Sequence, residues 1–133
     1  MSAAVHALPS ASRRELAGPA LRAFFNITGL WDLSAEQERV LLGSPGRSTF
    51  FRWKRDLNGA LPQDVLERIS YLLGIYKALQ MLFPEPAQAD AWVKKPNQAP
   101  LFGGRSALER MLGGQVADLY VVRQYLDAQR GWA

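Results

Sequence analysis

The chain has 133 residues, with 16 Lys and Arg against 12 Asp and Glu, a single His, no Cys and a formal net charge of +4. Without cysteine there is neither a disulfide framework nor a thiolate metal site, and one histidine excludes a multi-histidine zinc site and an iron facial triad. With 48% hydrophobic and 21% charged residues, the composition is that of one or two globular domains, not of a disordered chain or a large multidomain enzyme.

His6 sits in an Ala/Ser/Pro-rich start and is read as a solvated terminal side chain rather than a general base. No segment approaches the ~20 apolar residues that span a bilayer, and no basic region followed by an apolar core opens the chain. The expectation is a soluble, cytoplasmic protein with no cofactor and no metal.

Strand signals are poor and helical periodicity is the common theme. Ser12 with Glu15 caps a short helix that Gly18-Pro19 ends. A second helix is predicted over 19–28, with Leu21, Phe24, Phe25 and Ile27 inward and Gly29 as its C-cap. Ser34 and Gln37 form a capping-box pattern that opens a helix over 35–42, with Val40 and Leu41 inward and Gly43 at its end. Ser44-Pro45 then reads as N-cap and first position of a helix reaching Asp56 or Leu57. Two short helices joined around one glycine outline a helix-turn-helix.

The charge is concentrated in that second helix. Residues 1–60 hold 8 basic and 5 acidic side chains, a balance of +3; the remainder holds 8 and 7, a balance of +1. Arg47, Arg52, Lys54 and Arg55 fall within nine residues that contain no acid. Such a run is either a solvated helix face or an anion-binding surface. At about 100° per residue, Phe50, Trp53 and Leu57 cluster on one side, while Ser48, Arg52 and Arg55 point almost opposite, with Phe51 near them and Arg47 and Lys54 on the flanks. An apolar face for the scaffold and a basic, hydroxyl-bearing face outward suit a recognition helix, in which Arg reads guanine edges and Arg, Lys, Ser and Thr bond phosphates. The candidate DNA-binding residues are Arg47, Ser48, Thr49, Arg52, Lys54 and Arg55, with Lys54 on phosphate. Phe50 and Trp53 are assigned to the core.

After a break at Gly59 to Pro62, an apolar pattern from Val65 to Phe83 predicts a helix over 62–82, buried on more than one side. Gly74 weakens it by about 1 kcal/mol relative to Ala and leaves room for another helix to approach. The apolar excess favours a second core or a homodimer interface. Pro84 and Pro86 stop the helix. A short helix over 87–94 carries Trp92, and a loop runs from Lys95-Pro96-Asn97 to Gly104. Ser106 and Glu109 make another capping box, opening a helix with Leu108, Met111 and Leu112 inward, which Gly113-Gly114 breaks. The last helix, over 115–129, aligns Leu119, Val122 and Leu126 with Tyr125 adjoining. The terminal Trp132 is either folded onto the core or left for a partner.

Neither Gly103-Gly104-Arg105 nor Gly113-Gly114-Gln115 has the Lys-Ser/Thr ending or preceding strand of a phosphate-binding loop. Asp118 and Asp127 lie nine positions apart on one helix, about 13–14 Å by the helical rise, too far to share a catalytic site. No catalytic residue is assigned and the chain is read as a binding protein, not an enzyme.

These residues resemble the Xre/MbcA/ParS antitoxins, partners of toxins with a RES domain, over nearly the whole chain from about Ala20. The N-terminal part of the likeness is 34–56, with Leu41-Leu42-Gly43, Thr49-Phe50 and Arg52-Trp53. It continues through Leu66-Glu67-Arg68-Ile69-Ser70, Leu73-Gly74-Ile75-Tyr76 and Leu82-Phe83-Pro84. The C-terminal part is Trp92, Pro96-Asn97, Phe102-Gly103-Gly104, Ser106-Ala107-Leu108 and Val122-Arg123 to Tyr125-Leu126-Asp127.

The resemblance implies an all-α protein: a flexible N-terminus over 1–17, a helix-turn-helix DNA-binding domain over 18–60, and a toxin-binding and dimerisation domain over 61–133. It implies a homodimer that binds a cognate RES-domain toxin and represses its own operon by binding operator DNA. Toxins of that class are similar to ADP-ribosyltransferase-like enzymes and consume NAD, a chemistry that belongs to the partner. Trp92, Asn97, Arg105, Tyr125, Arg130 and Trp132 are the toxin-binding candidates, with an aromatic tail suited to entering a cleft. The alternative is a stand-alone dimeric transcriptional regulator.

Overall fold

A computed structural model describes residues 10–131, so the expectations for His6 and Trp132 lie outside the described residues. Among the described residues seven α-helices follow one another: α1 Ser10–Leu30, α2 Ala35–Leu41, α3 Arg47–Asp56, α4 Gln63–Leu82, α5 Pro86–Ala91, α6 Ala107–Met111 and α7 Val116–Gln129. A single 3-10 turn, Trp92–Lys94, extends α5. The described residues contain no strand, and one isolated bridge pairs Pro96 with Ser106. The fold is all-α.

The break expected at Gly18-Pro19 does not occur; α1 runs through both residues. Ala17, Leu21, Phe24, Ile27 and Trp31 lie on one stripe at helical spacing and all are buried. Each large apolar side chain contributes roughly 1.5–3 kcal/mol on burial, which together outweigh the ~3 kcal/mol that an interior proline costs a helix. Pro19 itself faces solvent. Nor does Gly29 cap the helix. The chain leaves α1 through a Leu33 N–H bond to the Thr28 carbonyl (3.0 Å), and Asp32, at φ +54°, takes the left-handed position.

Ser34 caps α2 through the reciprocal box: the Gln37 N–H donates to Ser34 Oγ (3.1 Å) and the Ser34 N–H donates to Gln37 Oε1 (2.9 Å). The next helix starts three residues later than its predicted cap. Ser44 is spent in ending α2, its N–H bonding the Arg39 carbonyl at 2.9 Å and its φ at +58°. A residue in that left-handed conformation cannot adopt the extended backbone of an N-cap. Gly46 therefore takes the N-cap position without a side-chain bond, and the Pro45 carbonyl is held by Arg39 Nη1 at 2.8 Å.

α4 is the central helix. It packs α1 on one side and α7 on the other, with α5 against its C-terminal end. Buried Val65, Leu66, Ile69, Leu72, Ile75 and Leu79 occupy both faces, as the width of its apolar pattern requires. The Arg123 guanidinium of α7 lies over Gly74, so close that a Cβ there would overlap Nη1 at 1.6 Å. Two polar contacts join segments distant in sequence. Arg68, buried on α4, donates to the Gly114 carbonyl at 3.0 Å, and Lys94 Nζ donates to the Asp32 carbonyl at 2.7 Å.

Candidate functional site

α3 lies on the scaffold through Phe50 and Trp53, both buried. Phe50 meets Phe25 of α1 edge-to-face at 5.9 Å. A second tether is polar. Glu38, 3% exposed on α2, accepts the Thr28 hydroxyl of α1 at 2.5 Å and the Lys54 ammonium of α3 at 2.7 Å. One carboxylate thus joins all three helices. Lys54 also lies 5.3 Å above the Phe25 ring, so its head group is turned toward the scaffold.

The outward face carries Arg47, Ser48, Arg52 and Arg55, all exposed; Thr49 is half-buried. Arg47 and Arg55 each retain 70% of their side-chain exposure although both have an acidic neighbour, Glu36 at 3.3 Å and Asp56 at 2.8 Å. Ion pairs this exposed are weakly held and exchange readily for another anion. A hydrogen bond from Arg39 holds the Glu36 carboxyl below its ordinary pKa, and one from Arg55 does the same for Asp56. Both acids are therefore ionised at neutral pH.

The C-terminal candidates divide into two groups. Trp92, from the 3-10 turn, and Tyr125, from α7, lie nearly parallel with ring centroids 6.4 Å apart. Phe102 closes the cluster edge-on, 5.9 Å from Trp92 and 5.2 Å from Tyr125. Trp92 and Tyr125 are half-buried and border a groove with Leu82, Phe83, Leu126 and Gln129 at the end of α7. Asn97 serves its own loop. Its Oδ1 accepts the Ala99 N–H (2.9 Å), its N–H donates to the Arg105 carbonyl (3.0 Å), and its carbonyl accepts the Gly104 N–H (2.8 Å). Arg105 is exposed at the rim of a separate cleft lined by Phe102, Glu109, Arg110 and Asp118. Arg130 folds back along α7 to within 3.5 Å of Asp127, leaving 10% of its side chain exposed.

Phe102 and the exposed Phe51 were not among the sequence-derived site residues. Phe102 joins its cluster from 10 and 23 positions away, a separation that no periodicity connects; Phe51 was visible on the wheel beside the arginines. Among the described residues no group of acidic or histidine side chains is placed to hold a metal ion, and no helix is long and apolar enough to cross a membrane.

Residues 10–74 match the antitoxin Xre-like helix-turn-helix domain, and residues 78–131 match the antitoxin Xre/MbcA/ParS C-terminal toxin-binding domain. The first match spans α1 through most of α4, including the whole basic face; the second includes the aromatic cluster. The chain is also similar to uncharacterized protein y4oB of Sinorhizobium fredii (strain NBRC 101917 / NGR234). The two are 56% identical over 111 residues, which is 84% of either chain.

Proposed function

This chain belongs to the Xre/MbcA/ParS antitoxins, and on that footing we propose that it neutralises a RES-family toxin by direct binding and represses its own operon through α3. The observation that carries the proposal is one chain with two working surfaces. α3 has a buried aromatic side and an exposed Arg47, Ser48, Arg52 and Arg55 side, and a half-buried aromatic cluster stands within the toxin-binding segment.

On the DNA side, we assign residues 18–60 to operator binding, with Arg52 and Arg55 central, Arg47, Ser48 and Thr49 beside them, and Lys54 adding charge from beside Glu38. A helix-turn-helix reads two half-sites when two copies place their recognition helices in successive major grooves. A homodimer serves that need, and the apolar groove between α1 and α4, lined by Leu16, Pro19, Ala20, Leu66, Ile69 and Leu73, supports one.

On the toxin side, we assign residues 61–133, with Trp92 and Tyr125 as aromatic anchors and Arg105 as a charged contact. Aromatic and Arg side chains in partly desolvated positions carry most of the energy of protein interfaces. The NAD-consuming, ADP-ribosyltransferase-like chemistry belongs to the toxin, and both chains act in the cytoplasm.

The deciding experiment co-expresses the chain with the adjacent reading frame of its operon. Recovery of a stable complex in which the partner's NAD consumption is suppressed supports the proposal. A chain that purifies alone and binds DNA unaided is instead the stand-alone regulator. For the DNA half, Arg52→Ala with Arg55→Ala should weaken operator binding and flatten its salt dependence without loss of fold. Unchanged affinity across several salt concentrations rules out this face.

A further inference from the structure

Phe51 is the fifth residue of α3 and 50% exposed, with its ring in edge-to-face contact with Phe50 at 5.0 Å. Its partner Phe50 is already 1% exposed in the core, so the fold gains little from Phe51. Its surroundings are cationic. Arg47 and Ser48 lie one turn before it and Arg55 one turn after. At about 100° per residue all three fall within roughly 60° of it on the wheel. Of the large apolar side chains exposed among the described residues, Leu16, Leu30, Leu73, Met81 and Tyr120 lie on other elements. Phe51 alone of these sits in the basic face.

A second protein would match this face only with acidic groups arranged around an apolar socket, since the exposed guanidinium groups on either side of the ring need anions. Duplex DNA suits the frame better. Phosphates on either side of the major groove take the arginines, and the groove floor offers one apolar group, the C5-methyl of thymine. We infer that Phe51 is a specificity-determining residue that packs on thymine methyl groups and so favours A·T pairs beneath the middle of α3. The inference rests on the DNA-binding reading above and adds to it which base α3 selects by apolar contact.

The test uses two duplexes amplified from the stretch upstream of the chain's own reading frame, one containing thymine and the other deoxyuridine throughout. They are identical except for the methyl groups. The full chain should bind the uracil duplex more weakly, by about fourfold for each methyl group buried against the ring, with an unchanged salt slope. Phe51→Ala should bind both duplexes equally, at the same salt slope and with an unaltered melting temperature. Phe51→Leu, which keeps an apolar surface, should retain part of the preference.

Equal binding of both duplexes by the natural chain overturns the Phe51 assignment and leaves the DNA reading standing. A uracil penalty that persists in Phe51→Ala arises in the DNA itself and also overturns it. A change of oligomeric state in Phe51→Ala does the same, by making the ring a contact between copies. Absence of salt-dependent binding to either duplex overturns the DNA reading and the inference together.

Discussion

The Glu38 carboxylate and the Lys54 ammonium meet at 2.7 Å, with the carboxylate buried and the ammonium's side chain 42% exposed. The pair fixes the rotation of α3 about its own axis, because Lys54 can reach Glu38 only when Phe50 and Trp53 face the core. Lys54→Ala leaves Glu38, among the described residues, with only the Thr28 hydroxyl as a side-chain hydrogen-bond partner. Removing one member of a buried pair costs up to 3–5 kcal/mol, and the half-exposed position of Lys54 reduces this to about 2 kcal/mol. Adding Glu38→Met should restore most of that loss. Chemical denaturation of the two single variants and the double variant measures the coupling; additive losses would mean that the pair does not hold α3.

The same face holds its own competitor for phosphate. Glu36 lies 3.3 Å from Arg47 and also bonds Arg39. Its pKa is depressed by the Arg39 hydrogen bond, so its charge is present at neutral pH and is lost only as pH falls through a value below the ordinary carboxylate range. Glu36→Gln should therefore tighten DNA binding at neutral pH and low salt by about two- to fivefold, with the gain fading as salt screens it. A titration at two ionic strengths decides the matter; weaker binding at low salt would show that Glu36 positions Arg47 rather than competing for it.

The turn between α2 and α3 places Ser44 at φ +58° in an exposed position. An L-residue pays about 1 kcal/mol or more in this region, whereas glycine does not. Part of that gain is offset by the greater freedom of glycine in the unfolded chain. Ser44→Gly should raise stability by about 0.5 kcal/mol, a rise in melting temperature of about 2 °C, without altering DNA binding. A lower melting temperature would mean that the Ser44 side chain stabilises the turn.

How much of this was legible in the sequence depends on the range of the interaction concerned. The caps at Ser34 and Ser106 depend on residues three apart and read correctly. So did the division of α3, which one helical wheel contains. The passage of α1 through Gly18-Pro19 did not, because local breaker chemistry was overruled by burial against α4 and α3, which no window of α1 contains. Nothing in the local sequence marks Glu38 for burial; only the convergence of Thr28 and Lys54, 10 and 16 positions away, makes it tolerable. Trp92, Phe102 and Tyr125 were visible singly but not as a cluster.

Gly74 permits a test of the α4–α7 contact. Ala is favoured over Gly by about 1 kcal/mol within a helix, yet a Cβ at this position would overlap Arg123 Nη1. Gly74→Ala alone should be neutral or destabilising, because Arg123 must leave its place and its 3.0 Å bond to Asp127. In an Arg123→Ala background the same substitution should stabilise by up to 1 kcal/mol. The cycle isolates the steric term. A stabilising Gly74→Ala in the natural chain would show that the guanidinium moves aside freely.

Removing residues 130–133 separates the tail from the aromatic cluster. α7 ends at Gln129, so the truncation keeps the helix residues and removes the largely buried Arg130 contact with Asp127, an exchange expected to lower the melting temperature. If the tail enters the toxin's cleft, the shortened chain should still form a complex through Trp92 and Tyr125 but leave the toxin's NAD consumption partly active. Trp92→Ala should behave differently. It removes a half-buried anchor stacked on Tyr125 and should weaken the complex itself, by tenfold or more at the roughly 2 kcal/mol of an interface hot spot. The two variants thus separate blocking from docking, read by residual NAD consumption in one case and by complex dissociation in the other. Full suppression of the toxin by the truncated chain would remove the tail from the mechanism and leave the aromatic cluster as the docking surface.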